Sequence, residues 1–297
     1  MKLIQRIVLT YYRIKLRVLE LMFPSKAAKA AFELFCTPYS KRKVYEEPLV
    51  FKQAEKISFA FQNHKIHGFR WHSEIQNGRK ILICHGFDSN SYKFAGYIDP
   101  LLNNGFEVFA FDAPAHGLST GKTITAIIYS DMILKVNAEY GPFYGIIAHS
   151  FGGIAVALVI EKLKNNILKK LVLIAPATET TRSLNDFCKY LSISEKLKEG
   201  LEKLIVQIGG QPSSWYSVAR VIQSITTPTL WLHDKGDRIT PYEDMHFLTE
   251  LNLPSVKFII TEGLGHSLYR EDNIAKQIID FISDLKTSDT QTGKANL

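Results

Sequence analysis

Ser150 stands in Ala148-His149-Ser150-Phe151-Gly152, just after the apolar run Phe143 to Ala148 and just before a helical pattern from Ile154 to Leu163. A chain that turns sharply from strand to helix has room only for small side chains two positions either side of the turning residue. It holds that residue's hydroxyl out at the end of the strand. A serine so placed can attack a carbonyl if a neighbouring base takes its proton. The ordinary alternative is a serine whose side chain caps the helix.

Other apolar runs end in residues suited to the first role. Lys80 to Cys84 empties into His85-Gly86-Phe87, and Glu107 to Phe111 into Asp112-Ala113-Pro114-Ala115-His116-Gly117. Thr229 to Leu232 ends in His233-Asp234-Lys235-Gly236-Asp237, and Val256 to Thr261 in Glu262-Gly263-Leu264-Gly265-His266. His266, in a loop freed by two glycines, is the candidate base. A third group, a carboxylate, must hold the imidazole tautomer, and both Asp234 and Asp237 are placed for it. Asp234 equally suits a turn cap. Charge developing on a carbonyl oxygen needs preorganised N–H donors. The Phe151 amide, opening a helix whose dipole favours an anion, supplies one. His149 reads as packing, and His85 and His116 as turn residues that shape the floor of the site.

Strands are expected at about 80–85, 107–111, 143–148, 169–174, 228–233 and 256–261, after a hairpin within 56–72. Helices are expected near 91–104, 124–140, 151–164, 242–251 and 272–285. Strand–helix alternation implies a parallel sheet covered on both faces, with ligands at the carboxyl ends of the strands. The interval 178–226 breaks the rhythm and is assigned as a compact helical cap, in which Phe187, Tyr190, Leu191, Ile193, Trp215 and Tyr216 are candidates for an apolar substrate pocket. His64, His67 and His72 fall on the hairpin, where His64 and His67 point to opposite faces and so hold no metal together.

These motifs, in the order Ser, Asp, His, resemble the α/β-hydrolase family over roughly Lys56 to Leu285. The resemblance implies an α/β-hydrolase fold: a mostly parallel central sheet flanked by helices, with a small helical cap. It implies a catalytic triad of Ser150, His266 and Asp237, the last aligning with the family's acid, and a second oxyanion donor at the Phe87 amide. Ala148 stands where glycine is commonest in the family, and Asp234 also stands where glycine is usual. A serine at the turn excludes relatives that use an aspartate nucleophile. The expected activity is cleavage of small-molecule carboxylic esters with apolar acyl groups, without cofactor or metal. An acyl thioesterase and a catalytically silent binding module are the alternatives.

A chain of 297 residues, 46% hydrophobic, can bury one large core. The expected organisation is an N-terminal helical extension over 1–55, a hydrolase domain over 56–285 and a polar, disordered tail over 286–297. The net charge of +7 is densest in Lys2, Arg6, Arg13, Lys15, Arg17 and Lys41-Arg42-Lys43. With no nucleic-acid motif in the body of the chain, no nucleic-acid partner is expected. Cys36, Cys84 and Cys188 form no disulfide framework, which points to a reducing compartment and a cytoplasmic protein. Charges interrupt the N-terminus too often for a signal peptide or a membrane span. Leu3 to Phe23 projects as a helix with one polar stripe, Arg6, Thr10, Arg13, Arg17 and Glu20, and an unusually broad apolar face. Pro24 ends it, and Ala27 to Phe35 reads as a second short helix. The broad face fits docking on the body or a second subunit, or lying peripherally on the anionic inner membrane surface.

Overall fold

The computed structural model describes residues 3–39, 46–75, 77–163 and 168–284; the expected tail over 286–297 lies outside them. Helices α1 (Leu3–Met22) and α2 (Pro24–Phe35) and the single turn α3 (Leu49–Lys52) precede the hairpin of β1 (Glu55–Phe61) and β2 (His64–Trp71). Strands and helices then alternate through β3 (Lys80–Cys84), α4 (Ala95–Asn103), β4 (Glu107–Phe111), α5 (Ala126–Tyr140), β5 (Gly145–His149), α6 (Phe151–Lys162) and β6 (Lys170–Ile174). Three helices intervene, α7 (Thr180–Leu191), α8 (Glu195–Gly209) and α9 (Val218–Ile222), before β7 (Thr229–Asp234), β8 (Val256–Thr261) and α10 (Asp272–Ile282).

The eight strands form one sheet in the order β1-β2-β4-β3-β5-β6-β7-β8. β2 runs antiparallel to β1 and to β4, and every other pairing is parallel. Parallel strands covered on both faces need apolar side chains on both, and the side chains of β5 alternate accordingly. Ile146 packs with α5, α6 and α9 on one face, and Ile147 with α3, α4 and α10 on the other. A third cluster joins α1 and α2 to α7 and α8. Its buried Ala27, Ala28 and Ala31 present no bulk, so α2 lies close on α8. Among the described residues no helix is long and apolar enough to cross a membrane.

The helix expected over 242–251 is replaced by two short 3₁₀ turns, Tyr242–Asp244 and His246–Thr249. They break at Met245, which leaves helical geometry (φ −122°, ψ −12°) and is itself fully buried. Burying one large side chain there outweighs the helical pattern around it. Pro24 does end α1, and it also opens α2 three residues earlier than expected, because proline is well suited to the first turn of a helix.

Candidate active site

The chain turns from β5 into α6 at Ser150, whose φ of 53° and ψ of −120° place it in a region costly for a side-chain-bearing residue, by about 1–3 kcal/mol. Close packing makes the turn possible. A Cβ at Gly152 would lie 2.6 Å from the Cys84 carbonyl oxygen, and one at Gly86 would lie 2.8 Å from Ser150 Cβ. The Ser150 side chain makes no capping bond to α6, which removes the capping alternative. Its Oγ instead lies 3.0 Å from His266 Nε2.

On the other side of the imidazole, His266 Nδ1 lies 2.8 Å from Asp237 Oδ2. Asp237 Oδ1 accepts from the amides of Ile239 (2.8 Å) and Thr240 (3.0 Å), and Oδ2 also accepts from Thr240 Oγ1 (2.8 Å). Burial alone would raise this carboxyl's pKa. The bond and charge of His266, then the amides of Thr240 and Ile239, outweigh burial and hold it at about 2. An ionised Asp237 can only accept, so Nδ1 carries the imidazole proton. Nε2 is then left as the acceptor for the Ser150 hydroxyl.

Asp234 does different work. Its Oδ1 accepts from the Gly236 amide (2.8 Å), and its Oδ2 from Thr261 Oγ1 (2.7 Å) and the Leu264 amide (2.9 Å). It closes the turn after β7 and ties it to the loop that delivers His266. Burial opposes its charge, but these bonds together bring its pKa below the ordinary value. Asp234→Ala is therefore expected to lower stability by about 3 kcal/mol, through the loss of the three hydrogen bonds its carboxylate accepts. Misplacing His266 should lower turnover by up to about 10²-fold. Thermal melts and initial rates check this; an unaltered melt would contradict the anchoring role.

Two further residues complete the site. Thr240 Oγ1, besides donating to Asp237, lies 3.2 Å from His266 Nδ1 and 3.2 Å from the Ala175 carbonyl oxygen. The sequence reading passed over it, although its place three residues after Asp237 is the spacing at which a side chain and a carboxylate share a turn. His149 was read as packing. It does pack, with ring centroids 4.7 Å from His266 and 4.6 Å from Tyr269. Its Nε2–H also donates to the His266 carbonyl at 3.0 Å, which fixes the backbone of the base. Burial first, and then the neighbouring His266, lower the pKa of His149 to about 3, so it stays neutral.

Phe87 and Phe151 meet beside Ser150 with ring centroids 5.5 Å apart. Neither amide donates to an acceptor among the described residues, which leaves both available to a bound oxygen. The loop carrying Phe87 is held from below. His85 Nε2 accepts from the Ala113 amide (3.0 Å), His116 Nε2 from the Asp88 amide (3.1 Å), and Asp112 Oδ1 from the amide and hydroxyl of Ser91 (both 2.9 Å).

Ser150 opens into a cavity of about 240 Å³ that no charged side chain among the described residues lines. Its walls are Phe32 and Phe35 of α2, Ile124 to Ile127 at the start of α5, Ile154 of α6, and Ile205 and Ile208 of α8. Of the expected substrate contacts Phe187, Tyr190, Leu191, Ile193, Trp215 and Tyr216, only Tyr216 lines it. Phe187 packs on Phe35 (5.1 Å), Leu191 is buried with the N-terminal helices, Tyr190 is exposed, and Trp215 lies under the Arg220 guanidinium at 4.0 Å. α2 fills the side of the cavity expected of the cap, so that α7 reaches it only through Thr180 and Ser183 of its first turns, while Phe187 and Leu191 pack against the N-terminal helices.

A mostly parallel sheet with a strained serine between β5 and α6, and with His266 and an acid presented from the loops after β8 and β7, is the arrangement of the α/β-hydrolase fold. The chain has that fold. A family model described as Hydrolase_4, serine aminopeptidase S33, matches residues 76–218, which contain Ser150 and stop short of Asp237 and His266. An uncharacterized protein of Bacillus subtilis (strain 168), YqkD, is 22% identical over 253 residues, covering 80% of this chain and 83% of its own length. The Pyrococcus furiosus esterase Pf2001 is similar in structure with a TM-score of 0.62 at 18% identity, over 84% of this chain and 96% of that one. A membrane phospholipase A described as a bacterial virulence factor has a TM-score of 0.59 at 17% identity, over 96% of this chain and 100% of that one. At such identities the structural likeness is one of fold.

Proposed function

We propose that the protein is a serine hydrolase that cleaves carboxylic esters of apolar acids through an acyl-enzyme intermediate. The observation that carries this reading is Ser150 Oγ within 3.0 Å of His266 Nε2 at an uncharged, largely apolar cavity. His266 takes the Ser150 proton as Oγ attacks the ester carbonyl, and the imidazolium that forms is stabilised by Asp237. The amides of Phe87 and Phe151 receive the oxyanion. His266 returns the proton to the departing alcohol, then activates a water that releases the acid.

The cavity chemistry bears on the substrate. An aminopeptidase needs an anionic group to receive a substrate's ammonium, and among the described residues no carboxylate lines this cavity. A volume of about 240 Å³ falls below the roughly 300–1,000 Å³ of drug-sized ligand sites, which fits one acyl chain. The named activities of the Pyrococcus esterase and the membrane phospholipase A support an ester substrate. The likeness to the phospholipase extends over 96% of this chain, and so takes in α2, which helps wall the cavity.

A series of p-nitrophenyl esters and acyl-CoA thioesters of increasing chain length tests the reading. kcat/KM on the esters is expected to rise about fourfold per added methylene, at about 0.8 kcal/mol each, until the cavity is full. A flat profile, or faster cleavage of thioesters or aminoacyl amides, would contradict it. Phe35→Ala removes part of the wall supplied by α2 and is expected to move the preferred chain to greater length. An unchanged chain-length profile would show that α2 does not bound the acyl site.

A further inference from the structure

α1 is seated on the body by one side only. Leu9 and Leu16 are buried, while the opposite side leaves Ile4, Ile7, Tyr11, Ile14, Val18 and Leu21 exposed, from 50% at Val18 to 82% at Leu21. At 3.6 residues per turn these six fall within one arc of about 100°, which faces directly away from the protein. A continuous apolar strip of this kind, some twenty residues long, is not maintained bare in water. The basic residues are arranged around it. Arg6 and Arg17 project at one margin of the arc and Lys15 at the other, all exposed, and Lys26 and Lys29 are exposed on the adjoining α2. Arg13 is used differently: its guanidinium donates to the Tyr190 carbonyl at 2.6 Å and fastens α1 to α7. The single acid of α1, Glu20, accepts from Ser194 Oγ on the protein side.

We propose that α1 docks this face on an anionic lipid bilayer, with the apolar arc entering the boundary between headgroups and acyl chains and Arg6, Lys15 and Arg17 lying at the level of the phosphates. A helix whose apolar arc faces outward and is rimmed by cations is the form that lies in a membrane interface. A second copy fits the same face poorly. In an antiparallel two-fold pairing centred on the strip, Arg6 of each copy meets Arg17 of the other, and α1 carries no carboxylate on that side to separate them. Residues 286–297, polar but for Ala295 and Leu297, do not match the strip either. Through α2, which packs on α1 and supplies Phe32 and Phe35 to the cavity, the docked helix would hold the acyl cavity beside the lipid. That last consequence rests on the proposed esterase activity; the docking itself does not.

The full chain should be sedimented with vesicles of phosphatidylglycerol and phosphatidylcholine in equal parts, and with phosphatidylcholine alone. Binding is expected on the anionic vesicles, weaker on the neutral ones and released by salt as the phosphates are screened. Arg6→Gln with Arg17→Gln is expected to weaken binding by roughly thirtyfold, at about 1 kcal/mol per basic residue, and Ile7→Glu with Ile14→Glu and Val18→Glu to abolish it. Both variants should keep the wild-type melt, since every altered side chain is exposed. Three results would overturn the proposal: a full chain that ignores anionic vesicles, an apolar-face variant that binds as wild type or loses its cooperative melt, or a wild-type dimer in ultracentrifugation that the same variant dissolves. Sedimentation is read without turnover, so an inactive protein would leave the docking result intact.

Discussion

Ser150→Ala is expected to abolish ester hydrolysis, with a fall in kcat of about 10⁴ to 10⁶, and to leave the fold in place. The hydroxyl contributes nothing to the core: it does not cap α6, and its hydrogen bond is to His266 Nε2. The turn itself is maintained by Gly86, Gly152 and the strands around them, none of which needs the oxygen. Removing it should even leave His266 in position, because His149, Asp237 and Thr240 hold that residue from its other sides. A kcat loss of less than about tenfold with a normal melt would mean that another group attacks the ester.

Asp237→Asn is expected to lower kcat by about 10⁴, through the imidazole tautomer. A neutral amide turned with its nitrogen toward Nδ1 makes that atom an acceptor and moves the proton to Nε2, where it blocks the Ser150 hydroxyl. The same substitution should change the dependence of stability on pH. Folding depresses the Asp237 pKa from its ordinary 3.8 to about 2, so the unfolded chain binds the proton more readily between these values. The stability this carboxylate gives is complete above 3.8 and is lost as the pH falls toward 2. Acid unfolding of the Asn variant should lack that component, and stability measured against pH in the two proteins checks it. Equal slopes in acid, or a smaller loss of rate than in Asp234→Ala, would move the acid of the triad away from Asp237.

The residues legible in the sequence were those whose role follows from the end of a strand. β4 and β8 have the bounds expected of them, and Ser150, His266 and the pair of acids were marked by the loops into which apolar runs empty. Asp234 and Asp237 differ only in where the chain turns after β7. Pairing Asp234 with the Leu264 amide and Asp237 with His266 is a tertiary outcome that no local pattern carries. The substrate wall was misread for a related reason. Phe187 and Leu191 have the apolar spacing of a pocket lining, yet an amphipathic helix shows the same spacing whether it faces a ligand or another helix. Here α2 supplies the wall that Phe187 and Leu191 were expected to form, and α7 reaches the cavity only through Thr180 and Ser183. Met245 likewise interrupts a helical pattern because burial of one side chain outweighs propensity.

The measurement that bears most directly on the central claim is labelling with a fluorophosphonate, followed by peptide mapping of the adduct by mass spectrometry. The reagent reacts with a serine only when a neighbouring base has activated it and donors stabilise the phosphoryl oxygen. The expected result is one adduct per chain, on Ser150, lost in Ser150→Ala and strongly slowed in Asp237→Asn. An unlabelled wild-type protein that melts cooperatively, or an adduct at another residue, would contradict the assignment of Ser150, His266 and Asp237 as the catalytic triad.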